Sequence, residues 1–575
     1  MQLTLLDYGL IVGFFIISLI IGLFASRTSG KDAKSFFLSG RNMPWWLLGV
    51  SMVATTFAAD TPNLVAGIVR QDGVYGNWVW WSFLLTGMLT VFFYAKLWRK
   101  SGINTDLEFY ELRYSGKSAA FLRGFRAVYL GLFFNIVIMA NVCLAAIKIG
   151  HVMFGYTEWQ TLLIASIVTV FYSMLGGLKG VLLTDFVQFI IAMIGSVWAA
   201  IYIVNLPQIG GVDILLTNPL VASKTSMFPD FTNPEIVIPI LLVPLAVQWW
   251  SVWYPGSEPG GGGYIAQRML AAKNEKHATW AVLFFNVAHY AIRPWPWIII
   301  GLASLVIYPN LEALQAAFPN LNSNFVKNDL SYPAMLTLLP AGLLGLVVTS
   351  LVAAFMSTIS THLNWGSSYI VNDLYKRFIR PEAKEKELVM TGRISTFLMM
   401  IFAALLSTIL EEAKEAFDLM LQIGAGTGLL FILRWFWKRI NPYSEIAAMV
   451  ISFIIAFVFF VDGKQENPFF EIEGYWKLII GVVITTLGWV FVTLVTPETD
   501  SNTMKSFDHL IFGDASKFKG FKYKIICFLA GVVGIYGALL GTGYFIYGNY
   551  TLAFSLFFMV IISAVLIIKL WKKMN

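Results

Sequence analysis

The chain has 575 residues, 58% of them hydrophobic and 13% charged, with a mean hydropathy of +0.71. Soluble domains carry about 25% charged residues, so this composition excludes a soluble globule and points to an all-α polytopic membrane protein in a lipid bilayer. The net charge of +7 calls for no nucleic acid, since lysine and arginine collected at one membrane face supply it.

A hydrocarbon core about 30 Å thick takes about 20 apolar residues as a helix. In chain order the stretches long enough are 5–25, 44–69, 78–98, 122–150, 158–176, 181–206, 233–270, 277–308, 334–371, 391–411, 417–437, 444–461, 475–496, 524–546 and 550–571, about fifteen transmembrane helices. No basic region or small-residue cleavage site marks the first as a signal peptide, and it reads as a retained span. Basic residues cluster after the first span (Arg27, Lys31, Lys34, Arg41), the third (Lys96, Arg99, Lys100, Arg113, Lys117, Arg123) and the ninth (Lys376, Arg377, Arg380, Lys384, Lys386). The alternate connections hold few (Lys224, Lys327, Lys414, Lys464), which predicts an external N-terminus and, for an odd helix count, a cytoplasmic C-terminus carrying Lys569, Lys572 and Lys573. The cell (plasma or inner) membrane is the expected location. Connections 207–232, 309–333 and 497–523 are too short for a domain with its own core, and Cys143 and Cys527 alone build neither a disulfide framework nor a metal site.

Two hydrophobic segments are interrupted at membrane depth, at Ala58-Ala59-Asp60-Thr61-Pro62-Asn63 and at Pro255-Gly256-Ser257-Glu258-Pro259 followed by four glycines. Backbone freed from helical hydrogen bonds is tolerated inside a bilayer only where it is buried or lines a cavity, and paired interruptions are the mark of an inverted-repeat secondary transporter. The expected organisation is an extra helix and loop at 1–43, a first five-helix repeat at 44–206, a second at 233–437, and additional helices at 438–575. In this five-plus-five core the first helix of each repeat is broken.

The ninth span carries Ala354, Ser357, Thr358 and Thr361 on one helical face, with Ser360 beside Ser357. Such a stripe presents neutral oxygens, and a sodium ion takes ~5 hard oxygen ligands. The same residues also suit close helix packing with hydrogen bonds across the interface. Asp185, near the start of the sixth span, needs a cationic partner or a water-filled path, or else serves as a helix N-terminal carboxylate. Asp60 lies deeper, and either binds a ligand or caps the second half of its own broken helix.

Phe37-Leu38-Ser39-Gly40-Arg41, Tyr172 to Leu178 (YSMLGGL), Gln267 to Asn274 (QRMLAAKN) and Trp435 to Asn441 (WFWKRIN) occur in this order along the chain. In these motifs, and over nearly its full length, the chain resembles the sodium/solute symporters, the family of sodium-coupled sugar, proline and sialic acid transporters. The resemblance implies a principal sodium site from the backbone carbonyls of Ala58 and Thr61 with Ala354, Ser357 and Thr358. It also implies a second sodium site from Asp185, Ser357, Ser360 and Thr361, so that Na+, one ion or two, is the coupling ion. Arg293 falls where the sugar-transporting branch has a sugar-contacting lysine. An arginine fork suits a carboxylate, which makes an acidic sugar conceivable, while a salt bridge from Arg293 to Glu258 or Asp60 is the structural alternative.

Trp253 and Tyr254, beside the second interruption, offer aromatic faces for an apolar solute surface, and Gln422 offers either a further polar contact or an interhelical hydrogen bond. Together with Asp60, Asn63, Glu258 and Arg293 they form the expected substrate set. The chain departs from the sugar branch at Asp60, where sugar carriers have asparagine and the proline branch resembles this chain; at Trp80, which replaces a sugar-binding acid; and at the glycine-rich 256–263, which looks like an insertion. The expected function is sodium-coupled import of a small polar organic solute, a sugar or sugar-derived acid, by a single chain. A proton-coupled carrier using Asp60 or Asp185, or a proline-like amino-acid substrate, is the alternative. The five histidines (His151, His277, His289, His362, His509) show no metal-ligand or nucleophile-base spacing, so no enzyme is expected.

Overall fold

The computed structural model describes residues 3–574 apart from 253–257, 320, 322, 324–325, 410–419, 464, 466–468, 471, 514–516 and 519. The described residues are helical throughout, the one β-type contact being an isolated bridge between Met43 and Ala272. The helices that matter here are α1 (Leu5–Ser29), α2 (Trp45–Thr55), α3 (Asp60–Gln71), α4 (Val74–Ser101), α5 (Gly116–Phe154), α6 (Glu158–Val204), α7 (Pro234–Trp250), α8 (Gly263–Ala271), α9 (Glu275–Ile307), α10 (Leu343–Ile379), α11 (Glu385–Ser407), α12 (Gly428–Leu433), α13 (Pro442–Gly463), α14 (Gly474–Val495), α15 (Phe521–Ile546) and α16 (Tyr550–Met574).

Eleven of the described helices are long and apolar enough to cross a bilayer, or twelve with α2 and α3 counted as one span bent by 58°. The count departs from about fifteen for identifiable reasons. The expected spans 158–176 and 181–206 run on as α6, a helix of 47 residues kinked at Gly177. The stretches 233–270 and 417–437 supply only the shorter helices α7, α8 and α12, with 253–257 and 410–419 outside the described residues.

The kink in α6 needs glycine. Gly177 has φ 52° and ψ −159°, and a Cβ there would lie 2.6 Å from the Phe36 carbonyl oxygen, so both conformation and close approach exclude a side chain. The bend in α2–α3 has a different cause. Pro62 stands in the first turn of α3, where its missing N–H is one of the donors a helix start leaves unpaired, but it cannot continue a helix arriving from α2.

At the centre stands α10, buried along nearly its whole length and packed against α2, α6 and α1. Its start has no side-chain cap of its own, and Gly342 precedes it at φ 83°. The cap comes from α1: Asp7 Oδ1 accepts the amides of Gly342 at 2.7 Å and Gly345 at 2.8 Å, placing a carboxylate at the positive end of the helix dipole. The periphery is formed by α1, α13, α14 and α16, whose outward rows of Phe, Ile, Leu and Val (Ile16, Phe457, Leu487, Phe558 among them) stay exposed. Apolar faces of this kind belong against lipid tails.

Candidate functional site

The interruption between α2 and α3 meets two different chemistries. From α10, Thr358 donates its hydroxyl to the Thr55 carbonyl at 2.9 Å. Ser350, Thr349 and Ser360, by contrast, turn back to their own helix, Ser360 to the Ser357 carbonyl at 3.1 Å. Thr55 is the last residue of α2, so its carbonyl is one of the acceptors that a helix end leaves without an intrahelical donor. The Ala58 carbonyl accepts the Thr61 amide at 3.1 Å and opens the turn into α3. Ala354 and Ser357 are buried on α10.

From α9 comes Arg293, completely enclosed, donating through Nη1 to the Val53 carbonyl at 3.3 Å and the Thr56 hydroxyl at 3.2 Å. Its Nη2 lies 3.4 Å from His289 Nε2, and His289 Nδ1 lies 3.0 Å from the Thr56 hydroxyl. With the guanidinium donating to Nε2, the imidazole carries its hydrogen on Nδ1 and is neutral. The guanidinium also sits over Trp297, 5.4 Å from the ring centre, and Trp297 stacks on Phe57. Asp60, half-buried at the start of α3, shares this region with Arg293 and attracts it electrostatically, while the Thr61 hydroxyl beside it donates to the Thr56 carbonyl at 3.3 Å. Trp80 lies against His289 and stacks on Tyr290. Asn63 is buried with its Oδ1 lacking a hydrogen-bond partner. His289, set aside with the other histidines by its spacing, is a member of this cluster, one helical turn before Arg293.

Glu258 does not pair with Arg293. It forms a tight ion pair with Arg126 of α5 through Oε1, and its buried Oε2 has no hydrogen-bond partner. Asp106, in the loop before α5, ties down the second interruption by accepting the Gly263 amide at 2.8 Å along with the Tyr369 hydroxyl at 2.5 Å, while Arg434 at the end of α12 meets Glu445 of α13 at 3.4 Å and Arg123 of α5 meets Asp373 of α10 at 2.6 Å. In the loop before α5, hydrogen bonds from Arg377 and Arg123 hold the Glu111 carboxyl below its ordinary range. Gln422 is half-buried, and its carbonyl accepts the Ala425 amide. The glycines after it matter more: a Cβ at Gly424 would lie 2.0 Å from the Val252 carbonyl, and one at Gly428 1.5 Å from that of Trp250. Trp253 and Tyr254 lie outside the described residues.

Asp185 is completely buried in α6. Ser51 of α2 donates to its Oδ2 at 2.5 Å and Ser357 of α10 to its Oδ1 at 2.7 Å. Arg268 of α8 approaches Oδ2 to 3.9 Å and donates to Ser51 Oγ and, at 2.7 Å, to Thr361 Oγ1. Thr361 Oγ1 is in turn 3.0 Å from Thr55 Oγ1. The expected set of Asp185, Ser357 and Thr361 is thus brought together, with Ser360 turned away to its own helix. Neither Ser51 nor Arg268 was expected; the signal for Arg268 was a guanidinium inside an apolar stretch, within the QRMLAAKN motif.

A broken helix whose free carbonyls face hydroxyls on one side and a buried cation on the other is the construction of a multi-pass membrane transporter. The model of the sodium:solute symporter family matches residues 36–452, most of the protein, and the chain belongs to that family. It is similar to a sodium/glucose cotransporter of Vibrio parahaemolyticus, 26% identical over 517 residues that cover 87% of this chain and 92% of the relative. A sodium/myo-inositol cotransporter 2 of Oryctolagus cuniculus is 25% identical over 546 residues, covering 88% and 78%. Among solved structures, the substrate-bound outward-open state of a Na+-coupled sialic acid symporter shares the fold, with a TM-score of 0.70 at 21% identity over 87% of this chain and 99% of that one.

Proposed function

We propose that the chain couples inward movement of sodium to import of a small polar organic solute, a sugar or sugar-derived acid, by alternating access. The observation that carries this reading is the end of α2, where the Thr55 carbonyl is held by Thr358 of α10 while the Val53 carbonyl and Thr56 hydroxyl are held by Arg293. Carbonyls of Ala58, Thr61 and Ala354 with the hydroxyls of Ser357 and Thr358 offer the hard oxygens a sodium ion takes. Asp185, Ser357 and Thr361 form a second set of oxygens in the same region, with the Ser360 hydroxyl beside them bonded to the Ser357 carbonyl.

Arg293, Asp60 and Asn63 are proposed to face the solute, and Trp253, Tyr254 and Gln422 are proposed as further solute-binding residues on the strength of their places in the sequence. A guanidinium whose hydrogen-bond partners are neutral oxygens and a neutral imidazole, with Asp60 acting on it only electrostatically, can turn its donors to a carboxylate or a row of hydroxyls. Relatives named for glucose and myo-inositol transport, and a neighbour named for sialic acid, favour the sugar class for this site. Residues 44–206 and 233–437 are proposed as the two halves that rock about the site, with the N-terminus outside and the basic loops in the cytoplasm of a cell-membrane protein.

The test is thermal stabilisation of the purified protein by a panel of sugars, polyols, uronates, sialic acid and amino acids, in sodium and in potassium. A ligand that binds only the folded state raises its apparent stability. Stabilisation by a sugar or sugar acid that needs sodium is the expected result; a hit indifferent to sodium would sink the coupling.

A further inference from the structure

Arg268 lies on α8, the helix that follows the second interruption, and its side chain is completely buried. Enclosing a guanidinium is costly unless a carboxylate and hydrogen-bond acceptors compensate it. The compensating atoms are two of the second oxygen set, Asp185 Oδ2 at 3.9 Å and Thr361 Oγ1 at 2.7 Å, together with Ser51 Oγ at 3.3 Å from Nε and 3.2 Å from Nη2, and Gln267 Oε1 at 3.0 Å from Nη1. The hydroxyls of Ser51 and Ser357 spend their hydrogens on the two carboxylate oxygens, so both ends of Asp185 are engaged. The lone pairs of Ser51 and Thr361 are turned to the guanidinium. A sodium ion at this place would need those lone pairs, and it would put a second positive charge beside one that already balances Asp185. Two cations sharing one carboxylate in a medium of low dielectric repel strongly.

We propose that Arg268 is the resident cation of the Asp185 site, and that the chain therefore binds one sodium, at the first interruption, rather than two. The inference rests on the sodium coupling proposed above. Arg268 is a positioning residue that fixes the ion count, and it joins α2, α6 and α10 to the helix of the second interruption.

The test is equilibrium binding of radiolabelled sodium to the purified full chain in lipid nanodiscs. One ion per chain is expected for the native protein. Arg268→Gln is expected to raise the count to two, Asp185→Asn added to it to return the count to one, and Arg268→Lys, which keeps a positive charge there, to hold it at one. A loss of packing alone would not add a bound ion. Two ions on the native chain overturn the proposal without any variant, as does a folded Arg268→Gln protein that still binds one. If Arg268→Gln does not fold, the native and Arg268→Lys counts decide: one in both supports the proposal, two in either overturns it. A native chain that binds no sodium overturns the coupling reading instead, which keeps the two failures distinct.

Discussion

Thr358 donates its hydroxyl from α10 to the open end of α2, and that makes it an informative single position. Replacing it with alanine removes a proposed sodium ligand and leaves the Thr55 carbonyl without its donor. Each missing polar contact of this kind is worth about 1–3 kcal/mol, so Thr358→Ala is expected to raise the sodium concentration for half-maximal stabilisation by about fivefold or more. Thr358→Ser keeps the oxygen and is expected to stay near the native value, and titration of melting temperature against sodium distinguishes the two. At Arg293 the expectation is a separation of effects. Arg293→Lys retains the charge but lacks the fork that reaches the Val53 carbonyl and the Thr56 hydroxyl through Nη1 and His289 through Nη2, so solute stabilisation should fall sharply while sodium stabilisation persists. Parallel loss of both would mean that Arg293 only supports the break. Breaking the buried Arg126 and Glu258 pair leaves a charge unpaired, and Glu258→Met is expected to cost about 3–5 kcal/mol, read as a lowered melting temperature.

The helices show how far local rules reach. The hydroxyl stripe of α10 follows from a 3.6-residue period, and the break at 58–63 follows from Pro62 and the polar Asp60 and Asn63 inside an apolar run; both were legible without coordinates. The continuity of α6 was not, because Gly176-Gly177 reads as a boundary, whereas a single residue with positive φ bends the helix without ending it. Gly177→Ala is expected to destabilise by at least about 1–3 kcal/mol from its backbone conformation alone, with the Phe36 contact adding to it. The extra N-terminal helix also acquires a role through Asp7, which supplies the cap that α10 lacks. Asp7→Ala should cost about 0.5–2 kcal/mol, checked by thermal unfolding in detergent. In the loop before α5, the depressed Glu111 carboxyl adds stability that is present above its ordinary value of 4.5 and is lost as pH falls through the lower folded value, so its bonds to Arg377 and Arg123 are expected to hold unchanged from pH 5 upward.

At the scale of the whole molecule, sodium and solute are proposed to meet at one interruption approached from two sides. Linkage then requires that sodium raise solute affinity by the same factor as solute raises sodium affinity, and binding titrations run in both directions measure it. Unequal factors would mean that the two ligands do not report on the same equilibrium. Composition and hydrophobic runs determined by themselves that this is a multi-pass helical membrane protein, because lipid demands helices of a fixed minimum length. Local chemistry also marked the first break, the hydroxyl stripe, Asp185 and Arg293, since polar groups at membrane depth are too costly to be incidental. Partnerships were decided only by tertiary structure. Arg268 and Ser51 stand 217 residues apart, and Glu258 was free on paper to pair with Arg293 until the fold placed Arg126 beside it. A buried charge announces that it needs a partner, but which partner it finds depends on the packing of helices distant in sequence, which no local pattern encodes.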